Sequence, residues 1–353
     1  MKTSLRRLPG FALPVFIALA ASPGFGADAA SPGYHLLKEI PVPTDGSWDY
    51  LSVDSANHRL YVSHNTTFVV IDTEKDAVVG EIAATPGAHG MALVPKLGRG
   101  FTSNGKENKV SIVDLKTLAT LSKVDTAGNP DWIMYEPNQG EIYTFNGSGQ
   151  SSTVIAADTG KVVTTIPLGG KPETAQEDPS LGRIYDNLED KDEVAVIDIK
   201  THTVVDRWPI APGKAASGNA IDLAHKRLFL GAADTNLMVM MDYTSGKVVA
   251  TVPIGANVDA CSFDPGTQLA FSSCGGTTTG PGSVTIAHED APGKLTVVQT
   301  LTTEHGAKTM TLDPATHKIY LGAVKYAGAA TGARGRQTPV PGTFRVLVYG
   351  PGQ

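Results

Sequence analysis

The sequence predicts an all-β fold, a seven-bladed β-propeller with four-stranded blades, and three observations point to it. The first is composition. The 353 residues include 38 Gly and 23 Pro but only 18 % charged and 7 % aromatic residues, the profile of a chain with many tight turns. The second is a unit that recurs seven times, a hairpin anchored at Asp or Pro and followed by an aromatic-led strand. The third is period. The Asp residues that close successive third strands, Asp72, Asp114, Asp158, Asp198 and Asp242, are spaced by 42, 44, 40 and 44 residues. Four short strands in roughly 40–45 residues are the arithmetic of a propeller blade.

Composition also excludes classes. Apolar content of 41 % argues against disorder, and two cysteines in a chain of this size argue against a disulfide-built miniprotein. The length alone would suggest two domains. The repeat replaces that expectation with one ring over residues 30–353.

Residues 1–29 read as a secretory signal. Lys2, Arg6 and Arg7 form a basic start, Phe11 to Ala21 an apolar stretch, and Ala27-Asp28-Ala29 a small-residue cleavage site. The stretch is shorter than the ~20 residues a bilayer span needs, and no later segment qualifies. A periplasmic or secreted protein without a membrane span is expected. Cleavage after Ala29 removes three basic residues and Asp28, leaving 26 basic against 34 acidic residues and a charge of −8. That charge disfavours nucleic acid as a partner.

The blades follow in order. The first hairpin runs from Asp54 to Leu60-Tyr61-Val62-Ser63-His64, the second from Pro95 to Phe101-Thr102-Ser103-Asn104, and the third from Pro137 to Tyr143-Thr144-Phe145-Asn146. Blades four to seven have their aromatic strands at Tyr185, Phe229, Phe271 and Tyr320. Third strands such as Phe68 to Asp72 precede a turn of the Asp-Thr-Gly-Lys kind, as at Asp158 to Lys161. A β-branched fourth strand then closes the blade. The last repeat stops at its third strand, Phe344 to Tyr349, while Tyr34 to Val42 is a spare strand ahead of the first hairpin. Pairing the two closes the ring and removes an open edge.

The Tyr-Val-Ser-His, Phe-Thr-Ser-Asn and Tyr-Thr-Phe-Asn strands resemble the YVTN repeats of the YncE-like propellers, exported bacterial proteins. The resemblance spans the mature chain and implies the propeller and export. It implies no reaction, and the strands of blades four to seven depart from the motif.

Propellers bind at the mouth of the central channel. Five residues before Asp54, Val94 (ahead of Pro95), Glu136 (ahead of Pro137), Asp178, Asp222, Asp264 and Asp313, the repeat places Asp49, His89, Asp131, Glu173, Ser217, Asp259 and Lys308, a ring that is polar throughout. Two positions further along the residues are mostly apolar, so polarity is confined to the ring. Trp48 and Trp132 flank it as a candidate apolar wall. Two long loops are expected at the same end, Cys274 to Gly282 in blade six and Lys325 to Thr343 in blade seven. The latter carries Arg334 and Arg336, a pair suited to an anion.

The expected ligand is a small molecule or a protein at this face, bound by a monomer without chemistry of its own. The competing reading is a hydrolase or lyase of lactonase type using the mouth carboxylates with His89. No cofactor is expected, although carboxylates with a histidine have the donor types for a divalent cation. Signatures for covalent haem, zinc proteolysis, a nucleophile elbow and dinucleotide binding are missing from the sequence. Cys261 and Cys274 bracket the Asp264-Pro265-Gly266 turn of blade six, and a cross-strand disulfide is expected between them.

Overall fold

The computed structural model describes Met1 and residues 33–42, 44, 46–327 and 338–352. Residues 2–29 of the segment read as a secretory signal lie outside the described residues, as do Arg334 and Arg336. Seven antiparallel four-stranded sheets form the ring. Six are built from consecutive strands, with inner strands at Trp48–Asp54, Ala88–Val94, Pro130–Glu136, Pro172–Asp178, Ala216–Asp222 and Val258–Asp264. The seventh has its inner strand at Met310–Asp313 and takes its outermost strand, Tyr34–Pro41, from the start of the ring. Among the described residues no helix is long and apolar enough to cross a membrane.

Turn chemistry sets the blade outline. The hairpin anchors fold back on the chain that follows them. Asp54 accepts the backbone N–H of Asn57, Asp178 those of Ser180 and Leu181, Asp222 those of Ala224 and His225, and Asp313 that of Ala315. The Asp residues ending third strands repeat the device, Asp72 with Glu74 and Lys75, Asp114 with Lys116 and Thr117. A carboxylate accepting its own turn's N–H groups is the physical reason Asp recurs at these positions.

The core lies between blades. Each aromatic of the second strands, Tyr61, Phe101, Tyr143, Tyr185, Phe229, Phe271 and Tyr320, is almost completely buried. Tyr61 packs with Met91 and Val113 of the following blade, and Tyr143 with Ala175 and Ile184 of the one after its own.

Closure runs through Tyr34–Pro41, which pairs antiparallel with Arg345–Pro351, from Tyr34 opposite Pro351 to Pro41 opposite Arg345. Ile40 and Val42 drop into a cluster with Leu60, Val62 and Val346, so the seam is apolar as well as hydrogen-bonded.

The expected disulfide is not formed. Cys261 and Cys274 are free, buried thiols. Register explains it: Cys261 stands opposite Ser272 and Cys274 opposite Val258, which leaves the two cysteines diagonal to one another. Cys261 lies 3.1 Å from the Ser272 hydroxyl instead, and burial pushes both thiols up to about 12.

The seam is testable. Ile40 is 1 % exposed, whereas Leu36 on the same strand is 45 % exposed. Ile40→Ala is expected to lower the unfolding free energy by about 3 kcal/mol through lost burial and a residual cavity. Leu36→Ala should change it by less than about 0.5 kcal/mol. Urea denaturation of the two variants compares them directly.

Candidate functional site

The channel mouth is built by one local device repeated around the ring. Six inner strands break register with their partners at the same place: between Trp48 and Leu51, Ala88 and Met91, Pro130 and Ile133, Pro172 and Ala175, Ala216 and Gly218, and Val258 and Ala260. These bulges contain Asp49, His89, Asp131, Glu173, Ser217 and Asp259, the polar ring read from the repeat. Bulged residues leave the ladder, and a bulge is a common way to re-aim a side chain beside a site. Lys308, the seventh, lies just ahead of its inner strand.

Each bulge is clamped. The residue following each second strand donates its N–H to a carbonyl two positions before the ring residue: Asn65 to Ser47, Gly105 to Gly87, Gly147 to Asn129, Glu189 to Lys171, Ala233 to Ala215 and Gly275 to Asn257, at 2.8 to 3.0 Å. Gly87 and Asn129 take positive φ there, +68° and +55°, a conformation that Gly and Asn tolerate best. Side chains add links between blades. Ser103 donates to the Asp131 carbonyl, Asn187 to the Ser217 carbonyl at 3.3 Å, and Ser273 to the Lys308 carbonyl.

Within this frame the ring resolves into three ionic groups. His89 Nδ1 is 2.6 Å from Asp49 Oδ2 and 3.4 Å from Asp131 Oδ1. Glu173 pairs with Lys171 at 2.6 Å, and Lys171 also reaches Glu189 of the acidic turn Glu189–Lys191. Asp259 pairs with Lys308 at 2.9 Å. Ser217 carries no charge, so the ring residue of blade five joins none of these pairs.

Crowding of buried carboxylates shapes the titration. Burial, then the charge of Asp49, raises Asp131 against the pull of His89. Burial and Asp131 raise Glu173 against Lys171. Burial alone would lower the His89 imidazole, but the hydrogen bond it donates to Asp49 and the charges of Asp131, Asp49 and Glu173 overcome it and raise it to about 9. Stability from this cation is complete below the unfolded value of ~6.5 and is lost as pH rises through about 9.

Beside the ring, between blades six, seven and one, lies a cavity of about 980 Å³. Trp48, Tyr326, Phe344, Val324 and Val340 supply apolar walls, and Asn257, His305 and Lys308 polar ones. Both long loops contribute, Gly276 to Thr278 from blade six and Tyr326 with Pro339 to Pro341 from blade seven. The blade-seven loop is pinned by a two-residue ladder in which Tyr326 faces Pro339. The Tyr326 ring stands edge-on to His305, centroids 5.0 Å apart.

Trp48 and Trp132 do not form one wall. Trp48 packs on Phe344 with centroids 5.1 Å apart, inside the cavity, while Trp132 stands edge-on to Tyr50 at 4.9 Å and packs toward blade four. The bulge separates them, because Trp48 precedes its ring residue and Trp132 follows its own. Sequence reasoning missed Lys171, Tyr50, Asn257 and Phe344. Lys171 and Asn257 occupy the same repeat position, two before the ring, which the period could have revealed.

No protein-family model and no curated protein matches the chain. Solved structures do. A chain of the structure described as "Crystal Structure of Mitotic Checkpoint Complex" is similar over 99 % of each chain, with a TM-score of 0.71 at 11 % identity. That likeness is one of fold, the propeller.

The placement of His89 is testable at Gly105, where a Cβ would fall 2.6 Å from His89 Nε2 and from Asn129 Oδ1. Gly105→Ala is expected to push the imidazole off its carboxylates, returning its pKa from about 9 toward the ordinary ~6.5. A histidine proton titration by NMR, in chelator, reads the change.

Proposed function

We propose that this is an exported, non-catalytic binding propeller of YncE-like type, which holds a small molecule with an apolar, aromatic-sized body at the channel mouth. The cavity between blades six, seven and one carries this reading. Its volume falls in the range of small-molecule sites, and a mainly apolar lining with a few polar groups is how such sites orient a ligand. Trp48 and Tyr326 offer partly exposed rings for stacking, backed in the case of Trp48 by the buried Phe344, and Lys308 with Asn257 offers a polar end. Export is supported by the basic, apolar and small-residue segments of residues 1–29, and the YncE-like relation by the repeated strands of blades one to three.

A lactonase-type hydrolase is the second reading, favoured by one observation: Asp131 and Glu173 are carboxyls raised by burial, the condition a general acid or base needs near neutral pH. It requires turnover of a lactone or ester panel that disappears in Glu173→Gln.

The binding reading is tested with 8-anilinonaphthalene-1-sulfonate, an aromatic anion that suits the apolar walls and Lys308. One saturable site per chain is expected on the folded protein. Trp48→Ala should weaken it by about tenfold, the value of one lost aromatic contact. Trp208→Ala, whose ring stacks on Tyr185 away from the mouth, should not. Absence of saturable binding, or equal weakening by both variants, overturns the cavity as the site.

A further inference from the structure

We propose that Asp49, His89 and Asp131 form a binding site for one first-row divalent transition-metal ion at the channel mouth, a site separate from the apolar cavity. The three residues come from the inner strands of three successive blades. One donor atom from each, an imidazole nitrogen and two carboxylate oxygens, lies within 4.8 Å of the others. Two donors on one such ion, at bonds of ~2.0–2.2 Å, stand ~3–3.5 Å apart. The 3.4 Å between His89 Nδ1 and Asp131 Oδ1 already meets that spacing. The 2.6 Å contact with Asp49 is a hydrogen bond to the ring. On binding, the Nδ1 proton leaves to solvent, the nitrogen lone pair takes the ion, and Asp49 moves outward by roughly 0.4–0.9 Å to reach that spacing.

A second observation points to a ligand. Asp131 Oδ1 is shut off from solvent and accepts no hydrogen bond. A buried carboxylate oxygen that accepts no hydrogen bond is costly, and this one faces, at 3.4 Å, the imidazole nitrogen that would share the ion. The backbone around it is fixed: Ser63 Oγ accepts from the Asp49 N–H at 2.8 Å, Ser103 Oγ from the Gly90 N–H at 2.9 Å, and Ser103 donates to the Asp131 carbonyl. Donors held this way lose little freedom on binding.

The donor set selects the class of ion. Calcium and magnesium take oxygen ligands, so an imidazole at the centre argues against them. Soft ions take thiolates, and the two cysteines belong to blade six. A nitrogen with two carboxylate oxygens suits a borderline ion such as Zn²⁺, and three protein donors leave a position for water.

The probe is Zn²⁺ alone, titrated calorimetrically into chelator-treated full-length protein, with melting temperature as a parallel readout. Wild type should bind one equivalent and melt higher with the ion. Asp131→Asn, nearly isosteric, should weaken binding by about 100-fold or more, since even outer-shell partners of such sites cost 10–100-fold. His89→Gln should do the same, and Asp49→Asn provides a further arm judged by the same criterion should either variant fold poorly. His225→Gln, which removes an exposed histidine paired with Asp222 at the far end of its blade, should bind like wild type. Sulfonate binding in the cavity should survive Asp131→Asn, so the two readings fail separately. No stoichiometric uptake, uptake insensitive to Asp131 and His89, or equal loss in His225→Gln would overturn the site.

Discussion

A hydrogen bond from the residue after each second strand back to the carbonyl two positions ahead of the ring residue is the interaction on which the channel mouth depends. Six blades make it in the same geometry, from Asn65 to Ser47 through to Gly275 to Asn257. It fixes one end of a short segment whose middle has left the ladder, and the resumed ladder fixes the other. The residue in that middle therefore stands at the equivalent place off the ladder in six blades. Closure by Tyr34–Pro41 supplies the other half of the constraint. Without a shared axis, six bulges would be six surface irregularities. With one, they converge.

Convergence has an electrostatic consequence. Four carboxylates brought toward one axis repel each other and lose water, and each is balanced locally: Asp49 and Asp131 by His89, Glu173 by Lys171, Asp259 by Lys308. Two of these cations come from within the ring and one from the clamp position. The balance is uneven. Lys171 is shared with Glu189, and His89 alone serves two acids. Burial, then the neighbouring carboxylates, pushes Asp131 and Glu173 toward their neutral forms, while those same carboxylates push the imidazole toward its charged one. In a medium of reduced dielectric such pairs hold only while each partner is in place.

How much of this was legible follows from what the sequence constrains. Blade outlines are legible because turns demand particular chemistry, and Asp54, Asp72, Asp178 and Asp313 serve their own turn's N–H groups. The ring is legible because the bulge recurs at a constant offset from those anchors, so counting back reaches equivalent places. Cys261 and Cys274 show where counting needs a register. Once Asp264 pairs with Leu269, Cys261 must meet Ser272, and the bulge then sets Cys274 against Val258. Nothing in a spacing of thirteen residues reveals that. The cavity was legible only as loop length, because Phe344 finds its partners, Trp48 and His64, in blade one at the other end of the chain.

Blade one is where the cavity and the charged ring meet. Trp48 still pairs with His64 across the hairpin, and pairing resumes at Leu51 with Val62. In the interval Asp49 turns to His89 of the next blade, while Trp48 lies against Phe344 of the preceding one. One peptide bond thus joins the wall of an apolar cavity to a cluster of charged donors. Neither residue can be repositioned without shifting the other, because the clamp from Asn65 to Ser47 fixes the chain on one side and the ladder fixes it on the other. A polar contact at the axis and an apolar contact off it are consequently set by a single bulge.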